Sequence, residues 1–337
     1  MKKIKFFRKN EIKKKTEKEQ VEERRGEVLA KGRKFKYPIQ YAKHKIIFNT
    51  IIIAIVAIVA IVVFGWTMLY KVQNTGNTFY RITQVLPLSV AKIDGEKVNF
   101  SDYLMIYRSS MATVEQSEAN SEGDIEVLKS DYKRVALDEA EEFTYALKKA
   151  RELNVSVSDD EIDTSFEEHK QMGGTNRSDE SFLKILSENF GLSKQEYRRM
   201  LYFSLMRAKV ESEIDDEANK IADEIEAMLA ENGGDYGVVA ESLAGAVIYE
   251  STGGLVDGKN VDGGRAVKAM TLEAGENSGK FLSNNGDGYY FVKLISKNDT
   301  QVNYESLKVT FSEFEKEVNE LREQGKIQEF IEIGEKN

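Results

Sequence analysis

The chain has 337 residues, with 48 Lys+Arg against 57 Asp+Glu, two histidines and no cysteine. Without a thiol it can form no disulfide and run no cysteine chemistry, and two histidines leave little for a clustered metal site. Its charge is divided: residues 1–45 carry 17 Lys+Arg and 6 Asp+Glu, whereas residues 46–337 carry 31 and 51, a net of −20, a sign that argues against nucleic acid as a partner.

Residues 1–25 are rich in Lys and Glu and read as disordered or loosely helical. From Val28 to Lys45, Phe35, Tyr37 and Tyr41 are interleaved with basic residues. Such a stretch suits contact with anionic headgroups or a plain topology signal. Ile46 to Tyr70 then run without a charged side chain. At a helical rise of about 1.5 Å per residue, roughly 20 such residues cross the hydrocarbon core. A cleavable signal peptide has a shorter apolar part, so 46–70 is expected to be a retained transmembrane helix in contact with lipid. Trp66 and Tyr70 read as its interfacial aromatics. The positive-inside rule places the tail, 1–45, in the cytoplasm and the acidic remainder outside. That makes the protein a single-pass cell-membrane protein.

Residues 71–88 read as a polar linker containing Pro87. The sequence Val90–Val98 alternates around Asp94-Gly95, a hairpin signal. Ser101 is then placed to cap a helix from Asp102 to about Glu115. After a polar insert, Gln116–Asp124, a stripe including Leu128, Tyr132, Val135, Phe143 and Leu147 predicts a long helix ending near Leu153. Two capping boxes, Ser158…Glu161 and Ser193…Glu196, frame helices at about 159–171, 179–189 and 194–214. From Asp215 the pattern changes. One helix runs to about Ala230 and a short one spans about Tyr236–Leu243. Glycines then punctuate strand-like runs at Tyr289–Ile295 and Val302–Val309, and a last helix is expected from Ser312 to about Ile333. The fold class is α+β: one transmembrane helix, an all-helical domain at 89–214, a small antiparallel-sheet domain at 215–311 and a C-terminal helix at 312–337, which is placed to pack on the helical domain.

Three pieces in this order, Val90–Glu96, Ala150–Ile162 and Gly191–Arg199, resemble the SurA/PrsA/PpiD group of extracytoplasmic foldases, and cover the helical chaperone domain of that group. The stretches Gly234-Asp235-Tyr236, Ser251–Val256, Leu272–Ser278 and Gly288–Leu294 resemble a parvulin-type prolyl isomerase domain. The chain departs from that pattern twice. No His-Ile-Leu strand precedes the first helix, between Val210 and Lys220. Tyr290 stands where the closing strand of the family usually has histidine. Val302–Val309 is expected to fill the vacant lane of the sheet, because a missing central strand leaves its neighbours unpaired.

The resemblance implies an active site built on a histidine pair. The only histidines are His44, beside the span, and His169, on a polar helix face, so neither is placed to serve it. No catalytic residue, metal ligand or cofactor is assigned. Binding remains: a chaperone holds non-native chains on adaptable apolar and aromatic surface. The candidates for client contact are Tyr103, Tyr107, Met111, Tyr202 and Met206. The implied partners are unfolded or partly folded exported proteins, with the export machinery beside them. Two alternatives stay open, an active isomerase using Tyr290 and Asp257 and a scaffold subunit of an envelope complex.

Overall fold

The computed structural model describes residues 17–36, 38–115, 122–171 and 177–334. The extreme basic tail and most of the polar insert after Glu115 lie outside them. The chain divides into two compact units, Met1–Met68 and Leu69–Asn337.

The first unit holds α1 (Glu17–Lys36) and α2 (Pro38–Trp66), which passes into a π-helical turn at Thr67–Lys71. The helix from His44 to Lys71 counts 28 residues, roughly 42 Å at the α-helical rise and enough to cross a hydrocarbon core of about 30 Å. From Ile51 to Phe64 its large apolar side chains are 49% to 69% exposed. A continuous bare surface of that kind needs an apolar surround.

In the second unit the expected linker folds. A helix, α3 (Asn77–Val85), occupies it and buries Tyr80 and Thr83. Tyr70, read from the sequence as an interfacial aromatic, donates its hydroxyl to the Ser89 carbonyl at 2.8 Å and meets Phe100 edge-on. Strands β1 (Ser89–Ile93) and β2 (Glu96–Asn99) form the hairpin, with Asp94 and Gly95 at φ +45° and +87°. Two positive φ values in a two-residue turn match the right-handed twist of the strands. The next helix, α4 (Phe100–Glu115), starts at Phe100, so Ser101 lies in its first turn and is not its cap. Phe100 and Tyr103 to Tyr107 are all buried, because α4 is packed against the hairpin, α3 and the long α5 (Glu122–Leu153). Helices α6 (Asp159–Gln171), α7 (Asp179–Asn189) and α8 (Lys194–Ile214) complete this helical region. Both capping boxes form: Ser158 and Ser193 donate backbone N–H to Glu161 and Glu196 at 2.8 and 2.6 Å.

The sheet region follows, with α9 (Asp216–Glu231), α10 (Tyr236–Ser242), β3 (Ile248–Ser251), β4 (Val256–Asp257), α11 (Arg265–Met270), β5 (Phe281–Leu282), β6 (Gly288–Lys297) and β7 (Gln301–Thr310). The antiparallel order is β3-β7-β6-β5, with β4 also paired to β7. Val302–Val309 therefore lies inside the sheet, between β3 and β6. Both faces are covered. Ala222, Ile225 and Tyr236 pack with Phe291 and Leu307 on one side, and Ala266 and Ala269 pack with Val292, Leu294 and Tyr304 on the other.

The chain then returns to the helical region. Helix α12 (Glu313–Glu323) places Phe314, Val318 and Leu321 in the main core. The helix expected to reach Ile333 stops ten residues short of it. Gly325 sits at φ +66°, Lys326 donates to Leu321 and Gly325 to Arg322, a Schellman stop. Beyond it β8 (Ile327–Glu329) pairs with β1, closing a three-stranded sheet ordered β2-β1-β8.

Candidate functional site

Helices α3, α4 and the α7–α8 turn enclose an open cavity of about 770 Å³. A second cavity of about 630 Å³ is bounded by Gln73, Tyr107, Met111, Lys133 and the C-terminal Glu332–Gly334. Asn77, Arg108 and Gly191 line both, so the two form one continuous groove. Its floor is a stripe of α4. Ser101, Met105, Arg108 and Ala112 recur at spacings of four, three and four, which is one face of a helix.

The groove is held by charge and hydrogen bonds. Asp102, only 6% exposed, accepts from Arg199 Nε at 2.6 Å and Nη2 at 2.8 Å, the bidentate geometry that fixes a guanidinium best. Tyr80 donates its hydroxyl to Glu196. The Arg108 guanidinium lies 4.5 Å from the centre of the Tyr80 ring, a cation–π contact. Burial opposes the charge on Glu196, yet hydrogen bonds from Ser193 and Tyr80, with Arg108 nearby, hold its carboxyl below the usual range. Burial, then Glu196, raises the Tyr80 hydroxyl, which keeps it a donor. Arg81 and Arg108 make no ion pair among the described residues. The groove thus sets cations with spare hydrogen-bonding capacity over a floor in which Met105, Tyr107 and Leu192 are buried, only 2%, 4% and 5% exposed.

The five side chains proposed for client contact are placed differently from one another. Tyr107 and Met111 border the second cavity, although they are only 4% and 3% exposed. Tyr103 and Met206 are core residues at 1% and 4%, and Tyr202 is partly buried against Phe203. A side chain enclosed by α5, α8 and the hairpin presents no surface to a partner. The groove residues Tyr80, Arg81, Arg108 and Arg199 escaped the sequence reading because they converge only when α3, α4 and α8 pack.

Tyr290 is 3% exposed. Its ring lies between the charged groups of Arg265 and Lys308, at 4.8 and 5.7 Å from its centre, and beside Phe281. Burial pushes its hydroxyl up. Next to it, Tyr304 donates to Asp262 at 2.5 Å and Arg265 donates to Ser306 Oγ at 3.2 Å. The sheet face beneath α11 is filled by these pairs. Asp257 is exposed and lines a separate cavity that Tyr290 does not reach. The two residues of the isomerase alternative are therefore not brought together. His169 is partly buried, with Nδ1 2.7 Å from the Ser165 carbonyl and its ring edge-on to Tyr197. It lines none of these cavities. Among the described residues no cluster of His, Cys, Asp or Glu is arranged to hold a metal.

The family described as SurA-like N-terminal domain matches residues 39–211, from the apolar helix through α8 and over almost all of the groove. No curated protein and no solved structure matches the chain. Just over half of the sequence carries the family's pattern, and the chain belongs to the SurA-like N-terminal domain family.

Proposed function

We propose that the protein is a membrane-tethered extracytoplasmic chaperone that transiently holds unfolded or partly folded exported polypeptides. The helix His44–Lys71 anchors it, the basic tail faces the cytoplasm, and the domain from Leu69 onward works outside. Charge asymmetry supports this orientation. Tethering raises the local concentration of the holding surface where exported chains emerge, which also places the export machinery among its partners. It acts without a cofactor, and its sheet region does no isomerase chemistry.

The observation that carries the reading is the continuous groove over α4, which lies almost wholly within the residues matched by a family of chaperone type. Its mixed lining suits weak binding of many sequences, since arginines without an ion pair among the described residues demand no single side-chain order.

The test uses the full chain in lipid nanodiscs, mixed with an unfolded exported protein at sub-stoichiometric to equimolar ratios. Aggregation should slow. Asn77→Trp, at an exposed position shared by both cavities, combined with Arg108→Ala, should abolish most of that effect while the urea midpoint of the protein stays within the small range typical of surface changes. A wild-type protein that leaves aggregation unchanged and co-purifies with one partner in fixed ratio would instead make this chain a scaffold subunit.

A further inference from the structure

A second cavity system lies away from the groove, between α6 and the loops of the sheet region. Its larger part, about 540 Å³, is floored by Val267 and Met270 of α11, within the roughly 300–1,000 Å³ typical of sites that take small ligands or side chains. A smaller part of about 290 Å³ continues it along α6, and Glu168 and Asn284 line both. The result is an elongated cleft.

Its shape depends on two glycines. A Cβ on Gly258 would come within 2.8 Å of Met270, so only glycine lets that side chain lie against the loop. Gly264 takes φ +94°, and a Cβ there would meet Asn284 at 3.0 Å.

The rim is acidic. Asp160, Glu168, Asp257 and Asp299 line the cleft and form no ion pair among the described residues, while Lys259 is the only cation that lines it. Asp257 uses one oxygen to accept the Lys259 backbone N–H at 2.8 Å, and Glu168 accepts from Asn284 at 3.4 Å, which leaves the negative charge uncompensated. Val267 is 52% exposed on α11. An apolar floor bordered by unpaired carboxylates complements a segment that carries both apolar and cationic side chains. The aliphatic stem of lysine or arginine lies on apolar surface while its head reaches an acid.

We propose that this cleft is a second polypeptide-binding site, selective for extended segments that combine apolar residues with Lys or Arg. It rests on the client-holding reading and adds a chemical preference to it. The cationic groove on α4 has the opposite preference, so one non-native chain of mixed charge can engage both.

The probe is a short fluorescent peptide of repeated Leu and Lys, titrated by anisotropy against the full chain in nanodiscs made of uncharged lipid. Asp257→Asn with Asp299→Asn should weaken binding about fivefold, the scale of two partly exposed ion pairs. Val267→Ser should weaken it as well, and raising salt should erase the effect of the double variant. A charge-matched control, Glu315→Gln with Glu320→Gln on the exposed side of α12, should leave binding unchanged. The proposal is overturned if the control weakens binding as much as the cleft variant does, since general attraction to an acidic domain then suffices. It is also overturned if a Gly–Lys or a Leu–Glu peptide binds as well as the Leu–Lys peptide. Loss of aggregation suppression with this binding pattern intact would sink the chaperone reading and leave the cleft assignment standing.

Discussion

The helical region and the sheet region handle buried polarity in opposite ways. Around α4, Arg199 and Asp102 pair at the wall of an open groove, and Arg81 and Arg108 line it without an ion pair among the described residues, Arg108 lying over the Tyr80 ring. Beneath α11, Tyr304 meets Asp262, Arg265 meets Ser306 and the Tyr290 ring, and Lys308 pairs with Asp287 at 2.5 Å. There the charged and hydroxyl groups are mostly committed to neighbours within the protein, Asp287 Oδ1 being an exception. Open space with uncommitted cations favours binding; a face packed with mutually satisfied pairs favours rigidity. The contrast sets an open groove and a closely packed sheet face within one compact unit.

The comparison breaks most severely at the joint between the regions. Asp215, 2% exposed, accepts from Ala218 N–H at 2.9 Å at the start of α9, and from Ser312 and Glu313 N–H at 2.7 and 3.1 Å at the start of α12. One carboxylate thus caps two helices, one in each region. Asp215→Ala removes the acceptor of three backbone donors, one buried and two at the part-buried start of α12, and the expected loss is about 2 kcal/mol, the upper end of what a helix cap contributes. Urea unfolding should show it as a lower midpoint. If the regions are coupled through this residue, hydrogen exchange should quicken in α9 and α12 together.

A pH-dependent test sharpens the same contrast. Glu141 is fully buried in α5, with Oε1 unpartnered among the described residues and Oε2 3.5 Å from Arg322. Burial, reinforced by Glu329 and Asp138 and opposed by Arg134 and Arg322, pushes its carboxyl up to about 8. Between the ordinary carboxylate range and pH 8 the folded state keeps a proton that the unfolded state has released. Stability must therefore fall as pH rises through that window, by at most about 1.4 kcal/mol per pH unit from this group. Glu141→Gln should flatten the slope, gaining most at pH 8 and little at pH 5. A wild-type slope that survives the substitution would assign the effect to Glu139, Glu142 or Glu211, whose carboxyls are also raised by burial.

Local chemistry was what the sequence made legible. The Asp94-Gly95 turn and both Ser…Glu capping boxes are fixed by residues a few positions apart, and each forms as written. The stop at Gly325 was equally local, yet the apolar spacing of Phe314, Val318 and Leu321 masked it, and the helix was carried too far. Strand β8 then had no signal of its own: Ile327–Glu329 extends only because β1, at the other end of the domain, offers an edge. The groove was illegible for the same reason. Nothing near Arg108 in sequence announces Tyr80 across its guanidinium, and nothing near Tyr103 announces that the elements packed on α4, the hairpin, α3 and α5, leave it 1% exposed. Periodicity identified which side chains are apolar but could not separate those on the core from those on a groove floor.

The smallest expected effect tests whether the filled face is support alone. Tyr304 is 3% exposed, and its hydroxyl is held up by burial and by Asp262, so it remains protonated and donates. Tyr304→Phe keeps the ring in its packing and removes one donor. Asp262 still accepts the Ala266 backbone N–H at 3.1 Å and so keeps its role at the start of α11. The net cost should be about 1 kcal/mol, the contribution of one charge-assisted hydrogen bond whose acceptor remains partly satisfied. Because α11 also carries Val267 and Met270, a loosened Asp262 would be felt first at the floor of the acidic cleft. Tyr304→Phe should then weaken the Leu–Lys peptide slightly and leave groove-dependent suppression of aggregation unchanged. Equal loss in both assays would mean that the two regions transmit strain to each other, and that the division between holding surface and rigid support is not a real one.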